Sequence, residues 1–149
     1  MIRASLVAQL ALAHTGQTTK ERVELGAVCR KFGIRVFAVH GRVLDGLALC
    51  GGTIAVNADK PETRQRFTVA HELGHIILGH RGGCMVGGHG GGVHEKEANA
   101  FAGSLLIPRI ALARVAHRYT LSQLAERFGV SQDCMSVRLR ECGFSPKAD

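Results

Sequence analysis

At 149 residues and 46% hydrophobic content, the chain has the size and apolar mass of one domain spanning 1–149, and intrinsic disorder is excluded. Nineteen Lys and Arg against twelve Asp and Glu give a net charge of +7 and a pI near 9.7, a surface biased toward acidic partners such as nucleic acid. Five scattered cysteines (Cys29, Cys50, Cys84, Cys134 and Cys142) without a CxxC pair argue against a disulfide framework or a cysteine zinc ribbon and fit a reducing cytosol.

The opening stretch, MIRASLVAQLALAHTG, is short, and Gln9 interrupts it. Leu6, Val7, Leu10 and Ala13 recur at helical spacing, so an amphipathic first helix is expected rather than a cleaved signal. No segment reaches the roughly 20 apolar residues of a membrane span, and no membrane partner is expected. TGQTTKER reads as a turn, after which VELGAVCRKFG puts Leu25, Val28, Cys29 and Phe32 on one helix face before Gly33 ends it. IRVFAVH and LDGLALCGGTIAVNAD are β-prone runs, and Gly51-Gly52 inside the second predicts an antiparallel hairpin in a small sheet, with no strand expected beyond it. Pro61 and Glu62 open a helix carrying ETRQRFTVAHELGHIILGH. Seven of the eleven residues from Gly82 to Gly92 are glycine, the composition of a flexible loop. HEKEANAFAGSLLI, RIALARVAH, LSQLAERFG and SQDCMSVRLREC then read as helices, so the fold class is α+β with a helical C-terminal part.

His71-Glu72-Leu73-Gly74-His75 is an HExxH motif. Residues i and i+4 share one helix face, so two imidazoles can converge on one ion with Glu72 beside it. A hydrolytic zinc needs a third protein ligand. His80 falls one residue short of the metzincin pattern HExxHxxGxxH, which needs Gly at 78 and His at 81 where Leu78 and Arg81 stand, and it is expected to be a bystander. HEKEAN offers Glu95 and Glu97. Glu95 is favoured because Asn99, four residues on, can orient a ligating histidine, whereas the corresponding neighbour of Glu97 is Phe101, on a face with Ala98, Ala102 and Leu105 suited to the core. Two neutral histidines and a carboxylate around an acidifying ion are the chemistry of peptide hydrolysis.

The paired motifs RFTVAHELGHIILGH and EKEANAFAGSLLIP resemble the ImmA/IrrE family of metallopeptidases, over roughly residues 20 to 145 and most specifically from Arg66 to Pro108. The resemblance implies a gluzincin-like domain: a small antiparallel sheet packed on a zincin-like HExxH helix. It implies one Zn2+, with Mn2+ as an alternative, held by His71, His75 and Glu95, and Glu72 as catalytic base. It also implies a cytoplasmic site-specific endopeptidase that cuts a helix-turn-helix repressor, serving as anti-repressor of a mobile element, prophage or stress response. Two departures stand out: the glycine-rich connection between the motifs, and a length that leaves no room for the C-terminal sensor domain of longer members.

Other residues carry weaker signals. Tyr119, His89, His94 and His117 are candidates for a second oxyanion donor, each more ordinarily a surface or packing residue. Cys84, in the glycine loop, is a candidate thiolate ligand that would hold the enzyme latent, against the plainer reading of a solvated thiol. LSQLAERFGVSQDCMSVRLREC has helix-turn-helix cadence, with Ala125, Gly129, Val130, Val137 and Leu139 at the structural positions and Arg138 and Arg140 as basic groups. The competing function is therefore a non-catalytic regulatory module that binds DNA or a partner protein through these basic C-terminal helices; packing against the protease body is the favoured role for them.

Overall fold

In the computed structural model, residues 1–41, 45–49, 51–80, 85–86 and 92–148 are described, 85–86 by backbone alone. The helices are α1 (Ile2–His14), α2 (Leu25–Lys31), α3 (Glu62–Ile77), α4 (Val93–Leu106), α5 (Arg109–Val115), α6 (Leu121–Phe128) and α7 (Gln132–Cys142), with a 3-10 turn at Ala116–Arg118. The strands are β1 (Arg35–Val39), β2 (Gly46–Leu49), β3 (Thr53–Asn57) and β4 (Met85–Val86), in the order β1-β3-β2-β4. This is the expected α+β fold. Among the described residues, no helix is long and apolar enough to cross a membrane.

The β2–β3 hairpin is antiparallel, pairing Ala48 with Ile54, and Gly51 and Gly52 close it. Two details of the sheet differ from expectation. β1 joins β3 in parallel, Arg35 opposite Thr53, so the sheet is mixed. Strand direction is not written in a strand's own side chains; β3 offers β1 its outer edge because β2 covers the other. The sheet also continues past the hairpin: β4 pairs antiparallel with β2, Ala48 opposite Val86, inside the segment expected to be a loop. Residues 82–84 and 87–91 of that segment, with Cys84 and His89, lie outside the described residues.

The first helix forms where expected but buries a different face. Ala4, Ala8, Ala11 and Leu12 are inside, while Leu6 and Leu10 are 54% and 60% exposed. The cause lies in α4, against which α1 packs: Ser104 Oγ donates to Ser5 Oγ at 2.9 Å, and this short contact goes with burial of the alanine stripe rather than the leucines.

Helix α3 is the centre of the molecule. Pro61 precedes it, its carbonyl accepting from the Arg64 and Gln65 amides, and Glu62 lies in the first turn where the helix dipole favours a carboxylate. Two glycines let neighbours come against it. A Cβ on Gly46 of β2 would collide with Thr68 Cγ2, and one on Gly74 would stand 2.9 Å from the ring of Phe101 on α4. Sheet and α4 therefore both close on the helix that carries HExxH.

The C-terminal pair α6–α7 is built as a helix-turn-helix would be. Thr120 and Gln123 form a capping box, Gly129 ends α6 at φ +66°, and Ser131 caps α7. Arg66 of α3 donates from Nε to the Gly129 carbonyl at 3.1 Å and from Nη2 to Val23 at 3.0 Å, tying the turn to the body of the protein. Leu139 is buried as expected, but Val137 is 45% exposed and Arg138 only 5%. Arg138 donates from Nε to the Ile107 carbonyl at 3.1 Å and pairs with Glu141 at 3.2 Å. A side chain read as a basic surface group is thus a buried fastener between α7 and the end of α4. Arg138→Met is expected to lower stability by about 1–3 kcal/mol, since the Ile107 carbonyl loses its charged donor. Urea unfolding measures this, and an unchanged midpoint would count against the fastening role.

Candidate metal centre

One face of α3 supplies the floor of a cleft. Arg64, Phe67, Thr68 and His71 line it at steps of three and four residues, with Glu72 beside them, as the helical repeat requires. The opposite wall comes from Glu95 and Asn99, four apart on α4, and the rim from Asp45 and Gly46 at the start of β2. Arg64 binds Asp45 through Nε and Nη2 at 2.8 and 2.6 Å, and this contact holds the Asp45 carboxyl below its ordinary range.

At the bottom three ligand atoms converge. His71 Nε2 and His75 Nε2 are 3.1 Å apart, His75 Nε2 lies 3.0 Å from Glu95 Oε1, and His71 Nε2 lies 3.3 Å from Glu95 Oε2. Atoms about 2.0–2.1 Å from a common ion have mutual separations of this order, so the set fits a zinc-type ion. The outer nitrogen of His71 agrees: its Nδ1 donates to Asn99 Oδ1 at 2.9 Å, which turns the Nε2 lone pair inward. His75 is 6% exposed, and burial, followed by the neighbouring His71, holds it below the ordinary imidazole range, in the neutral form that ligates. Glu72 is also 6% exposed and faces the same cleft.

The structure therefore brings together all four residues singled out for the chemistry, and Asn99 with them. It also shows what spacing alone missed. His80 is no bystander: its Nδ1 is 3.0 Å from His75 Nδ1, and its Nε2 is 2.9 Å from Glu97 Oε2. Glu97 is not on the core face of α4; Ala98, Phe101, Ala102 and Leu105 are buried there as expected, while Glu97 pairs with His80, whose hydrogen bond holds the carboxyl below its ordinary range. His94 stacks on His80 with ring centroids 4.3 Å apart. Tyr119, His94 and His117 do not line the metal cleft, and the Tyr119 ring lies under the Arg127 guanidinium at 4.3 Å.

The cleft opens into a second groove of about 630 Å³ that shares Arg64, Phe67 and Asn99 with it and runs between α3, α4 and α7. Ala100 and Val137 give it an apolar wall, and Lys96, Asp133, Arg138 and Glu141 stand among its lining residues. The exposure of Val137 follows from its place in this groove.

Comparison with known proteins agrees with the fold. The chain is similar in fold to a Mycobacterium tuberculosis transcriptional regulator, with a TM-score of 0.70 at 20% identity, over 93% of this chain and 46% of that one. It thus spans about half the length of that regulator. No curated protein matches the sequence. The profile of the peptidase M78 family, described as the IrrE N-terminal-like domain, matches residues 29–140, which contain α3, α4 and every side chain of the cleft. With a match over most of its length that takes in both helices of the cluster, the chain belongs to the peptidase M78 family of IrrE N-terminal-like domains.

Proposed function

We propose that the protein is a zinc-dependent, site-specific endopeptidase of the cytoplasm, with His71, His75 and Glu95 as metal ligands and Glu72 as catalytic base. The observation that carries this reading is the convergence of three ligand atoms, 3.0–3.3 Å apart, beside a buried carboxylate at the foot of an open cleft. Zinc, or manganese in its place, supplies Lewis acidity that polarises the scissile carbonyl and acidifies water when bound. The chain's own residues do the rest. Glu72 takes the proton of the attacking water and delivers it to the leaving amine. Asn99 keeps the His71 ring in its ligating orientation. The cleft and the groove beyond Phe67 hold an extended segment of substrate, with an apolar side chain against Ala100 and Val137.

The substrate class is a protein, and a helix-turn-helix repressor is the proposed target, which makes the protein an anti-repressor. The M78 membership supports this assignment. The rival reading, a regulatory module binding DNA or a partner protein through its C-terminal helices, loses one of its two basic groups to burial, since Arg138 is only 5% exposed.

Incubating the purified chain with the repressor encoded beside it, with and without added zinc or manganese, tests the proposal. Discrete cleavage that a chelator stops and metal restores is the expected outcome, with Glu95→Gln inactive and metal-deficient. Salt-dependent DNA binding that ignores chelator, with no cleavage of the repressor, would favour the regulatory module.

A further inference from the structure

His80, His94 and Glu97 bring ligand atoms within 4.8 Å of one another, immediately beside the first cluster, and this invites a second ion. Proton accounting decides otherwise. A histidine that turns Nε2 to a metal keeps its ring proton on Nδ1 and must donate it. His75 Nδ1 has His80 Nδ1 at 3.0 Å, so His80 accepts there. A neutral His80 then carries its own proton on Nε2, where the Glu97 carboxylate accepts it at 2.9 Å. Neither nitrogen of His80 keeps a lone pair for another ion. The rings of His80 and His94 are also nearly parallel, 11° apart, and lone pairs lying in two stacked planes do not meet at one point between them.

The backbone explains why His80 stands there. At five residues' distance it would face away from His75 on a continuing helix. Gly79, at φ +70°, instead reverses the chain: its amide donates to the Ile76 carbonyl at 3.2 Å, and the His80 amide donates to the His75 carbonyl at 3.0 Å. This pair of bonds is a Schellman end, which folds the second residue past the helix back over its last turn. The LGH that follows HELGHII thus returns a histidine to the second ligand of the motif.

We infer that His80 and Glu97 are positioning residues of the metal centre, a hydrogen-bonded chain His75–His80–Glu97 that fixes the tautomer and ring orientation of His75. This rests on the reading of His71, His75 and Glu95 as ligands. The two ligating histidines are then supported unequally. His71 leans on the neutral amide of Asn99, whereas His75 leans, through a second imidazole, on the Glu97 carboxylate.

The test uses the full chain, apo and loaded with zinc or cobalt. Zinc affinity is read by competition with a chromophoric chelator, ions per chain by elemental analysis, and the ligand field by visible absorption of the cobalt form. The expected result is one ion per chain, a loss of affinity of about 10–100-fold in His80→Ala with a shifted cobalt band, and a smaller loss in Glu97→Gln. His80→Gln, whose amide oxygen still accepts from His75, should recover part of the loss. His94→Ala should leave affinity and stoichiometry unchanged. Circular dichroism of each apo variant separates lost positioning from lost fold, and Glu97→Gln, which preserves volume at a partly buried site, serves if His80→Ala does not fold. Wild-type affinity and cobalt spectrum in both His80→Ala and Glu97→Gln would overturn the inference, as would two ions per chain with one lost in His94→Ala. Failure of the underlying reading looks different: zinc would stay bound in His71→Ala and Glu95→Ala, or the wild-type chain would bind none.

Discussion

Glu72→Gln is expected to keep the fold and the metal while cleavage falls by about 10²–10⁴-fold or more, the range that a positioned acid–base group contributes. The exchange is nearly isosteric, which matters because Glu72 is 6% exposed between packed neighbours and a smaller residue would leave a void. The amide can still hydrogen-bond, but it can neither take a proton from water nor return one to an amine. Glu72→Asp, which draws the carboxyl back by one methylene, is expected to fall between the two. Single-turnover cleavage of the repressor, with metal content measured on the same samples, reads both quantities. Native-rate cleavage by Glu72→Gln would remove this residue from the mechanism, and loss of metal would show that its role is to bind.

The second large effect is at the contact between α3 and α4, the helices that carry the proposed ligands. Phe101 is fully buried, and a Cβ on Gly74 would stand 2.9, 3.2 and 3.3 Å from three of its atoms. Phe101→Ala is expected to cost about 3–5 kcal/mol through lost burial and a cavity. Gly74→Ala adds a methyl where none fits, an overpacking cost of about 1–3 kcal/mol. The roughly 1 kcal/mol that alanine gains over glycine in a helix offsets part of it. The two changes should not add. With the ring gone, the new methyl occupies vacated space, so the double variant is expected to be about 1–2 kcal/mol more stable than the sum predicts. Urea unfolding of the four apo proteins gives the cycle, and strict additivity would mean that α3 and α4 are not held by this contact. Gly74→Ala should also weaken zinc binding, because pushing α4 away carries Glu95 from His71 and His75.

Legibility followed the range of the interaction. His71, Glu72 and His75 lie within little more than one turn of α3, and Glu95 and Asn99 within the same span of α4, so helix geometry alone places each group on a common face. The helix ends are similarly local: Pro61 before α3, Thr120 and Gln123 at α6, and Gly129 after it all act on backbone within a few residues. None of these readings needed a partner surface. The contact of His80 with His75 is not legible on a helical face, because the left-handed turn at Gly79 changes which residues meet. Nor is the partner of Glu97, which comes from the end of another helix.

What the sequence by itself determined is the pair of motif helices, the residues on each that can converge, and the mixed α and β composition of the fold. Only the tertiary structure decided which face of α1 is buried, that β1 runs parallel to β3, that Arg138 lies inside while Val137 faces a groove, and that His80 and Glu97 adjoin the metal centre. The physical reason is common to all four. A periodic pattern states what a segment can offer on each side, but burial and hydrogen bonding are settled jointly with the surface that arrives: α4 for α1, an open edge of β3 for β1, the Ile107 carbonyl for Arg138 and the end of α3 for Glu97.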